Sequence, residues 1–211
     1  MLMQIFPSGP FETNAIVLAC SETHLAVIVD PSPGSAEPIN AYLAKHQLNP
    51  IKILLTHSHW DHIADVAKLK AKWPIPVAVH PEDVPNLERP GTDRLPALVS
   101  VQGVKADQLL ADGDVETIGS LQLQVIHTPG HSPGSVCFYE PSQKILLSGD
   151  TLFKGSIGNL SFPTSNPDDM WPSLEKIKKL PLDTRIYPGH GPDTVLSKES
   201  WLNQAKSMFG Y

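Results

Sequence analysis

The stretch Ile51-Lys-Ile-Leu-Leu-Thr-His57-Ser-His59-Trp-Asp61-His62 decides how the rest of the chain is read. An apolar strand-like run ends there, and four side chains able to ligate a metal follow within six residues, before a helical pattern begins. In extended backbone, residues two apart face the same side, so His57 and His59 can converge on one cation. The turn into the helix then lets Asp61 and His62 face a second position. A lone histidine reads as a surface or core residue. Four ligand types packed this densely read as a metal site.

Three other segments repeat the scheme of strand, turn and ligand. Leu121–His127 runs into Thr-Pro-Gly-His131, Ile145–Leu147 into Ser-Gly-Asp150, and Arg185–Tyr187 into Pro-Gly-His190. A glycine precedes each ligand, where a tight turn or a close backbone approach is needed. The candidate ligands are therefore His57, His59, Asp61, His62, His131, Asp150 and His190. Seven suit two metals, with three histidines on one and an aspartate with two histidines on the other. Asp150, having two oxygens and no positional twin, is the natural bridge. Pro129 and Pro188, each two residues ahead of a ligand, stiffen their turns. The remaining histidines, His24, His46, His80 and His127, read as structural or surface residues. For His127, the other reading is support of the ligands from outside their shell.

Working outward, short strand-like runs rich in Val, Ile and Leu occur at Met3–Phe6, Asn14–Cys20, His24–Asp30, Ile51–Thr56, Val77–His80, Leu121–His127, Ser135–Glu140, Lys144–Ser148 and Thr184–Tyr187. Helical spacing runs through Ala36–Gln47, where Ile39, Tyr42 and Leu43 share a face. It recurs in His62–Trp73, with Ile63, Val66 and Ala67 inward and Lys68, Lys70 and Lys72 on the solvated side. A third helix is expected over Asp169–Leu180, capped by Asp168 or Asp169 and limited at its start by Pro172. A fourth is expected over Ser197–Met208. Strands come in runs with helices interspersed, so a purely parallel βαβ sheet fits badly. The α/β arrangement that fits is two mixed sheets with helices on both outer faces, a four-layer αββα sandwich. Pro81–Asp114 is the least regular part, readable as a surface connection or as a loop overhanging the site.

Length and composition fit one domain, 1–211, able to close a core without disulfides. Charged residues are 18% against a usual ~25%, which speaks against disorder. Sixteen basic against twenty-two acidic residues leave a net charge of −6, which argues against nucleic acid as a partner. No apolar run approaches the ~20 residues of a membrane span, so no membrane partner is expected. Met1–Glu12 lacks the basic-then-apolar pattern of a signal peptide. Cys20 and Cys137 lie in apolar segments and read as buried, unreactive thiols of a reducing compartment, so the expected location is cytoplasmic.

The motif His57-x-His59-x-Asp61-His62, followed by His131, Asp150 and His190, resembles the ligand set of the metallo-β-lactamase superfamily, from the first strand to Pro192. The phrases Leu-Leu-Thr-His-Ser-His-Trp-Asp-His, His-Thr-Pro-Gly-His-Ser-Pro-Gly-Ser and Tyr-Pro-Gly-His-Gly-Pro are most similar to the short, single-domain branch of glyoxalase II, the hydroxyacylglutathione hydrolases. The resemblance implies an αββα sandwich with metals at one edge between the sheets. It implies a first metal on His57, His59 and His131, a second on Asp61, His62 and His190, and Asp150 bridging. The two divalent ions are expected to be zinc, with iron or manganese open. The superfamily's true β-lactamases lack the bridging aspartate, so Asp150 counts against that activity.

Two metals about 3.5–4 Å apart can share a water and bring its pKa towards neutrality. The implied reaction is attack by this bridging hydroxide on a small-molecule acyl thioester, with Asp150 and Asp61 as the catalytic aspartates and Asp61 orienting the nucleophile. The departures concern substrate. Two-domain glyoxalase II carries a helical domain with basic glutathione contacts, whereas 21 residues follow His190 here. The family's Lys or Arg, and its Tyr or Asp two positions on, are replaced by Asn159 and Ser161, with Lys154 nearby. Ala64-Asp65 stands where relatives often place glycines. The alternative is a persulfide dioxygenase-like oxidoreductase, whose single iron is held at positions matching His57, His131 and Asp150. Those relatives carry Arg-x-Asp where this chain has Asn159-Leu-Ser161, which favours the hydrolase. A metal-binding protein without turnover is disfavoured, because structural zinc sites are closed four-ligand cages.

Overall fold

The computed structural model describes residues 1–210, so the last residue of the expected domain, Tyr211, lies outside the described residues. Each sheet takes its strands in sequence order. The first holds β1 (Leu2–Ser8), β2 (Thr13–Ala19), β3 (Leu25–Val29), β4 (Asn49–Leu54), β5 (Val77–Val79) and β6 (Gln108–Leu109). The second holds β7 (Val115–Ile118), β8 (Leu121–His127), β9 (Val136–Glu140), β10 (Ile145–Gly149), β11 (Arg185–Pro188) and β12 (Thr194–Val195). Pairing is antiparallel across hairpins and parallel where a helix intervenes, as parallel strands require. The crossovers are α1 (Ala36–Lys45) between β3 and β4, α2 (Trp60–Ile63) with α3 (Val66–Lys72) between β4 and β5, α4 (Val84–Glu88) between β5 and β6, and α5 (Pro167–Ile177) between β10 and β11.

Burial explains why the strands read as continuous apolar runs. In β2, Ala15, Val17 and Ala19 face the helices together with Ile39, Leu43, Val66 and Leu69. Ile16, Leu18 and Cys20 face the other sheet, meeting Leu123, Val125, Phe138 and Leu147. On the far side, Tyr139, Leu146 and Ile186 pack against Met170, Leu174 and Ile177 of α5 and against the C-terminal Leu202 and Ala205. Three apolar layers separate four layers of structure, which is the expected αββα sandwich.

Several helix boundaries differ from expectation. The segment His62–Trp73 is two helices, broken at Ala64 and Asp65. Asp65 spends its N–H on the Pro31 carbonyl, and its carboxylate takes the first N–H of α1, from Ala36, at 2.9 Å. The third helix starts earlier than expected, at Pro167, and its cap is Asn166 rather than Asp168 or Asp169. The Asn166 side chain accepts from Asp168 N at 3.1 Å, and proline suits the first helical position. Pro172 therefore sits inside the helix instead of delaying it. The Ser197–Met208 helix is two 3₁₀ turns, Leu196–Lys198 and Ser200–Gln204, followed by α6 (Ala205–Phe209). Buried Glu199 interrupts it, because its carboxylate accepts from Thr194, Trp201 and Gly155. The short β6, β7 and β12 were not legible as strands. The two cysteines differ: burial pushes Cys137 up to about 11, while hydrogen bonds from Ser120 bring Cys20 down to about 6 at 1% exposure. Both cysteines are free and buried, as expected, and the lowered Cys20 still lacks the access that a reactive thiol needs.

Candidate metal centre

The loops at the C-terminal ends of β4, β8, β10 and β11 meet at one edge between the sheets, bringing all seven candidate ligands together. His57, His59 and His131 place ring nitrogens within 4.8 Å of one another, and so do Asp61, His62 and His190 for their ligand atoms. Asp150 lies between the groups. Its Oδ1 is 3.4 Å from His62 Nε2, and its Oδ2 is 3.4 Å from both His131 Nε2 and His190 Nε2. Asp61 Oδ2 is 3.6 Å from His62 Nε2 and 3.3 Å from His190 Nε2.

Glycines make this approach possible. A Cβ on Gly189 would come within 2.1 Å of Asp150 Oδ1, and one on Gly158 within 2.7 Å of His131 Nδ1. Gly130 and Gly149 take φ of +142° and +48°, conformations that side chains disfavour.

Fixed acceptors aim the imidazoles. Thr56 gives its hydroxyl proton to Asp30 Oδ2 at 2.5 Å, so at the 3.1 Å contact with His57 it is Nδ1–H that donates. His62 Nδ1 faces Asp30 Oδ2 at 3.0 Å, His131 Nδ1 the Asn159 carbonyl at 2.9 Å, and His190 Nδ1 the Phe11 carbonyl at 3.0 Å. In all four, the acceptor takes the Nδ1 proton and Nε2 is turned to the centre. Thr13 Oγ1 donates to Asp61 Oδ2 at 2.8 Å.

Orphaned atoms test whether cations fit. His57 Nε2, His59 Nε2, His131 Nε2 and Asp150 Oδ1 are buried without a hydrogen-bond partner. Buried polar atoms are rarely left so, and four converging in one place are a donor set that a divalent cation satisfies. The charge balance agrees. Burial, reinforced by neighbouring rings, lowers His57 and brings His59 down to about 3; burial also lowers His131. These three rings are neutral, the ligating form. Burial works against the charged forms in the second group too, yet Asp61 and Asp150 overcome it and raise His62, and the same carboxylates raise His190 to about 9. Asp61 falls to about 2, and Asp150 well below its ordinary value, because the histidines outweigh burial. Without a cation, protons on His62 and His190 supply the positive charge between the two aspartates.

Sequence reasoning passed over several supporting residues. Asp30 was read as a strand end and Thr13 not at all; the only signal was an aspartate closing an apolar strand. Part of Pro81–Asp114 also belongs here. It forms a 3₁₀ turn, Pro81–Asp83, and α4, and buried Asp83 accepts from Ser58 N and Gly134 N, next to the ligand turns. His127 is held away from the centre, its Nε2 on the Pro133 carbonyl and its ring stacked on His80 at 3.9 Å and 11°. With Glu82 these two rings form another ligand-type group, but near-parallel rings cannot point in-plane lone pairs at one cation. Asn159 and Ser161 are exposed; Asn159 contributes its carbonyl to His131, and its side chain accepts from Ser161 N. Phe162 packs edge-on against His59 and His131, and Phe11, 53% exposed, lies on Trp60.

Known proteins resemble this chain in sequence and in fold. The probable metallo-hydrolase YqgX of Bacillus subtilis (strain 168) is 38% identical over 202 residues, covering 93% of each chain. The hydroxyacylglutathione hydrolase of Pseudoalteromonas translucida (strain TAC 125) is 33% identical over 190 residues, 90% of this chain and 65% of that one. Among solved structures, the BLEG-1 B3 metallo-beta-lactamase superposes with a TM-score of 0.87 at 38% identity, over 99% of this chain and 100% of its own. The di-iron-bound form of TTHA1623 gives 0.81 at 36% identity, over 93% and 96%. The model of the Metallo-beta-lactamase superfamily matches residues 8–190, and the chain belongs to that superfamily.

Proposed function

We propose that this chain is a dinuclear metal-dependent hydrolase of small-molecule acyl thioesters, resembling glyoxalase II. The observation that carries the reading is Asp150, whose Oδ2 lies 3.4 Å from His131 Nε2 of one group and from His190 Nε2 of the other, while Oδ1 lies 3.4 Å from His62 Nε2. In this reading His57, His59 and His131 would hold one divalent ion and Asp61, His62 and His190 the other, with Asp150 available to both. The His-rich set suits zinc, and iron suits it as well. Bound divalent ions would lower the pKa of water and polarise an acyl carbonyl.

The chain's own residues do the rest. Asp61, ionised and steadied by Thr13, orients the attacking water and accepts a hydrogen bond from it. Asp30 and the Phe11 and Asn159 carbonyls keep the ring nitrogens aimed. Phe162, edge-on to His59 and His131, sets apolar surface against the centre. The substrate is a small molecule, since the acidic balance offers nucleic acid little. Among the described residues no helix is long and apolar enough to cross a membrane; we place the reaction in the cytoplasm. A second reading, β-lactam hydrolysis, is supported by the identity shared with BLEG-1 across nearly the full chain.

Four assays separate the readings: hydrolysis of lactoylglutathione, hydrolysis of simple thioesters, hydrolysis of a chromogenic cephalosporin, and oxygen uptake with glutathione persulfide. Thioester turnover that disappears in Asp150→Ala supports the proposal. Cephalosporin turnover alone favours the second reading. Oxygen uptake with one iron per chain contradicts both.

A further inference from the structure

The loop bearing His57 and His59 and the loop bearing His131 come from different sheets, and no strand pairing joins them. Beside the single backbone bond from Val136 N to the Thr56 carbonyl, one buried carboxylate ties them together. Asp83, 3% exposed, accepts from Ser58 N at 2.6 Å with Oδ2 and from Gly134 N at 2.7 Å with Oδ1. The Ser132 hydroxyl adds a third donor to Oδ2 at 3.2 Å. Ser58 is the residue between two ligands, and its carbonyl is held as well, by Asn86 Nδ2 at 2.6 Å. Both backbone polar groups of that residue are thus tied to the Pro81–Glu88 segment. Ser132 and Gly134 lie one and three residues after His131.

Gly134 carries independent testimony to this contact. Its φ is not in the left-handed region, so backbone conformation does not demand glycine there. A Cβ would stand 2.6 Å from Asp83 Oδ1 and 2.8 Å from Asp83 N. Glycine is required because the carboxylate and its backbone come so close.

We propose that Asp83 is a positioning residue that sets the spacing between His57-x-His59 and His131, and thereby the cation affinity of the three-histidine group alone. This rests on the assignment of those histidines to one cation. The carboxylate suits the task because it accepts from both loops at once, whereas a carboxamide would turn an N–H towards one of the N–H donors. The Asp61, His62 and His190 group receives nothing from Asp83, so its affinity is independent of it.

The test isolates each group and reads zinc affinity by competition with a chelator. In a His190→Ala background, which weakens the second group, Asp83→Asn lowers zinc affinity by at least about tenfold, in the range typical of lost ligand support. In a His131→Ala background the same substitution changes affinity by less than about threefold. Metal-free proteins are compared by thermal melting to confirm that each is folded. Gly134→Ala, which leaves the carboxylate in place but pushes it aside, reproduces the selective loss; should Asp83→Asn fail to fold, this variant decides. Equal losses in the two backgrounds, or no loss in either, overturn the proposal. Loss of thioester turnover is not a readout here, so failure of the hydrolase reading leaves a selective affinity loss intact.

Discussion

Four of the five ligand-type histidines give their Nδ1 proton to a fixed acceptor, and that determines which nitrogen reaches the centre. Asp30 is the busiest acceptor, serving Thr56 twice and His62 once. Asp30→Asn should therefore weaken cation binding about 10- to 100-fold while the two sheets remain formed; circular dichroism with chelator competition measures both. Titration adds a second expectation at this scale. His190 is raised to about 9 in the cation-free centre, from an ordinary 6.5. A raised histidine contributes stability that is complete below pH 6.5 and is lost as pH climbs through about 9. The melting temperature of metal-free protein should fall across that window, and fall less in His190→Ala. Uptake of zinc at neutral pH should release protons, measurable by calorimetry in buffers of differing ionisation enthalpy. The seven ligand-type residues were legible because metal ligation demands rare side chains at tight spacing. Asp30, Thr13 and Asp83 were not, since an isolated aspartate or threonine carries no spacing signal until the fold brings its partner near.

Among the elements, the strands were most legible where both faces are buried. The β2 run Ala15–Ala19 is apolar throughout because alternate residues serve different layers. Leu18, fully buried between the sheets, should cost about 2–5 kcal/mol when replaced by alanine, read by denaturant unfolding with the metal removed. Short edge strands such as β6 and β12 have two residues each, too few for alternation to show. Helix ends were misread where a buried side chain rather than propensity sets them, as Asp65 and Glu199 do. The turns ahead of the ligands were read correctly as glycine-dependent, and the reason is now specific. Gly189→Ala would drive a Cβ into Asp150, so it should abolish binding of one or both cations; a variant retaining full metal content would speak against that packing.

Across the whole molecule, the candidate metal centre joins two sheets that also meet through apolar side chains, the Lys52–Glu116 ion pair and the bonds of Asn14 to Gly189 and Pro188. The candidate ligands come from the first sheet at His57, His59, Asp61 and His62, and from the second at His131, Asp150 and His190. Cations bound there would stabilise the folded state by mass action, in proportion to the logarithm of their excess over the dissociation constant. Removing them with a chelator should lower the melting temperature, and adding zinc should restore it. The sandwich and its superfamily follow from pattern and motif together, whereas substrate choice lies in surface residues such as Asn159 and Ser161 that packing does not constrain.

The central claim is that Asp150 serves two cation positions at once. Elemental analysis of metal bound per chain, on protein loaded with zinc and freed of excess, tests it most directly. We expect about two ions in the wild type and a lower ratio in Asp150→Ala. A wild-type ratio of one under saturating zinc, unchanged by His190→Ala, would contradict the account.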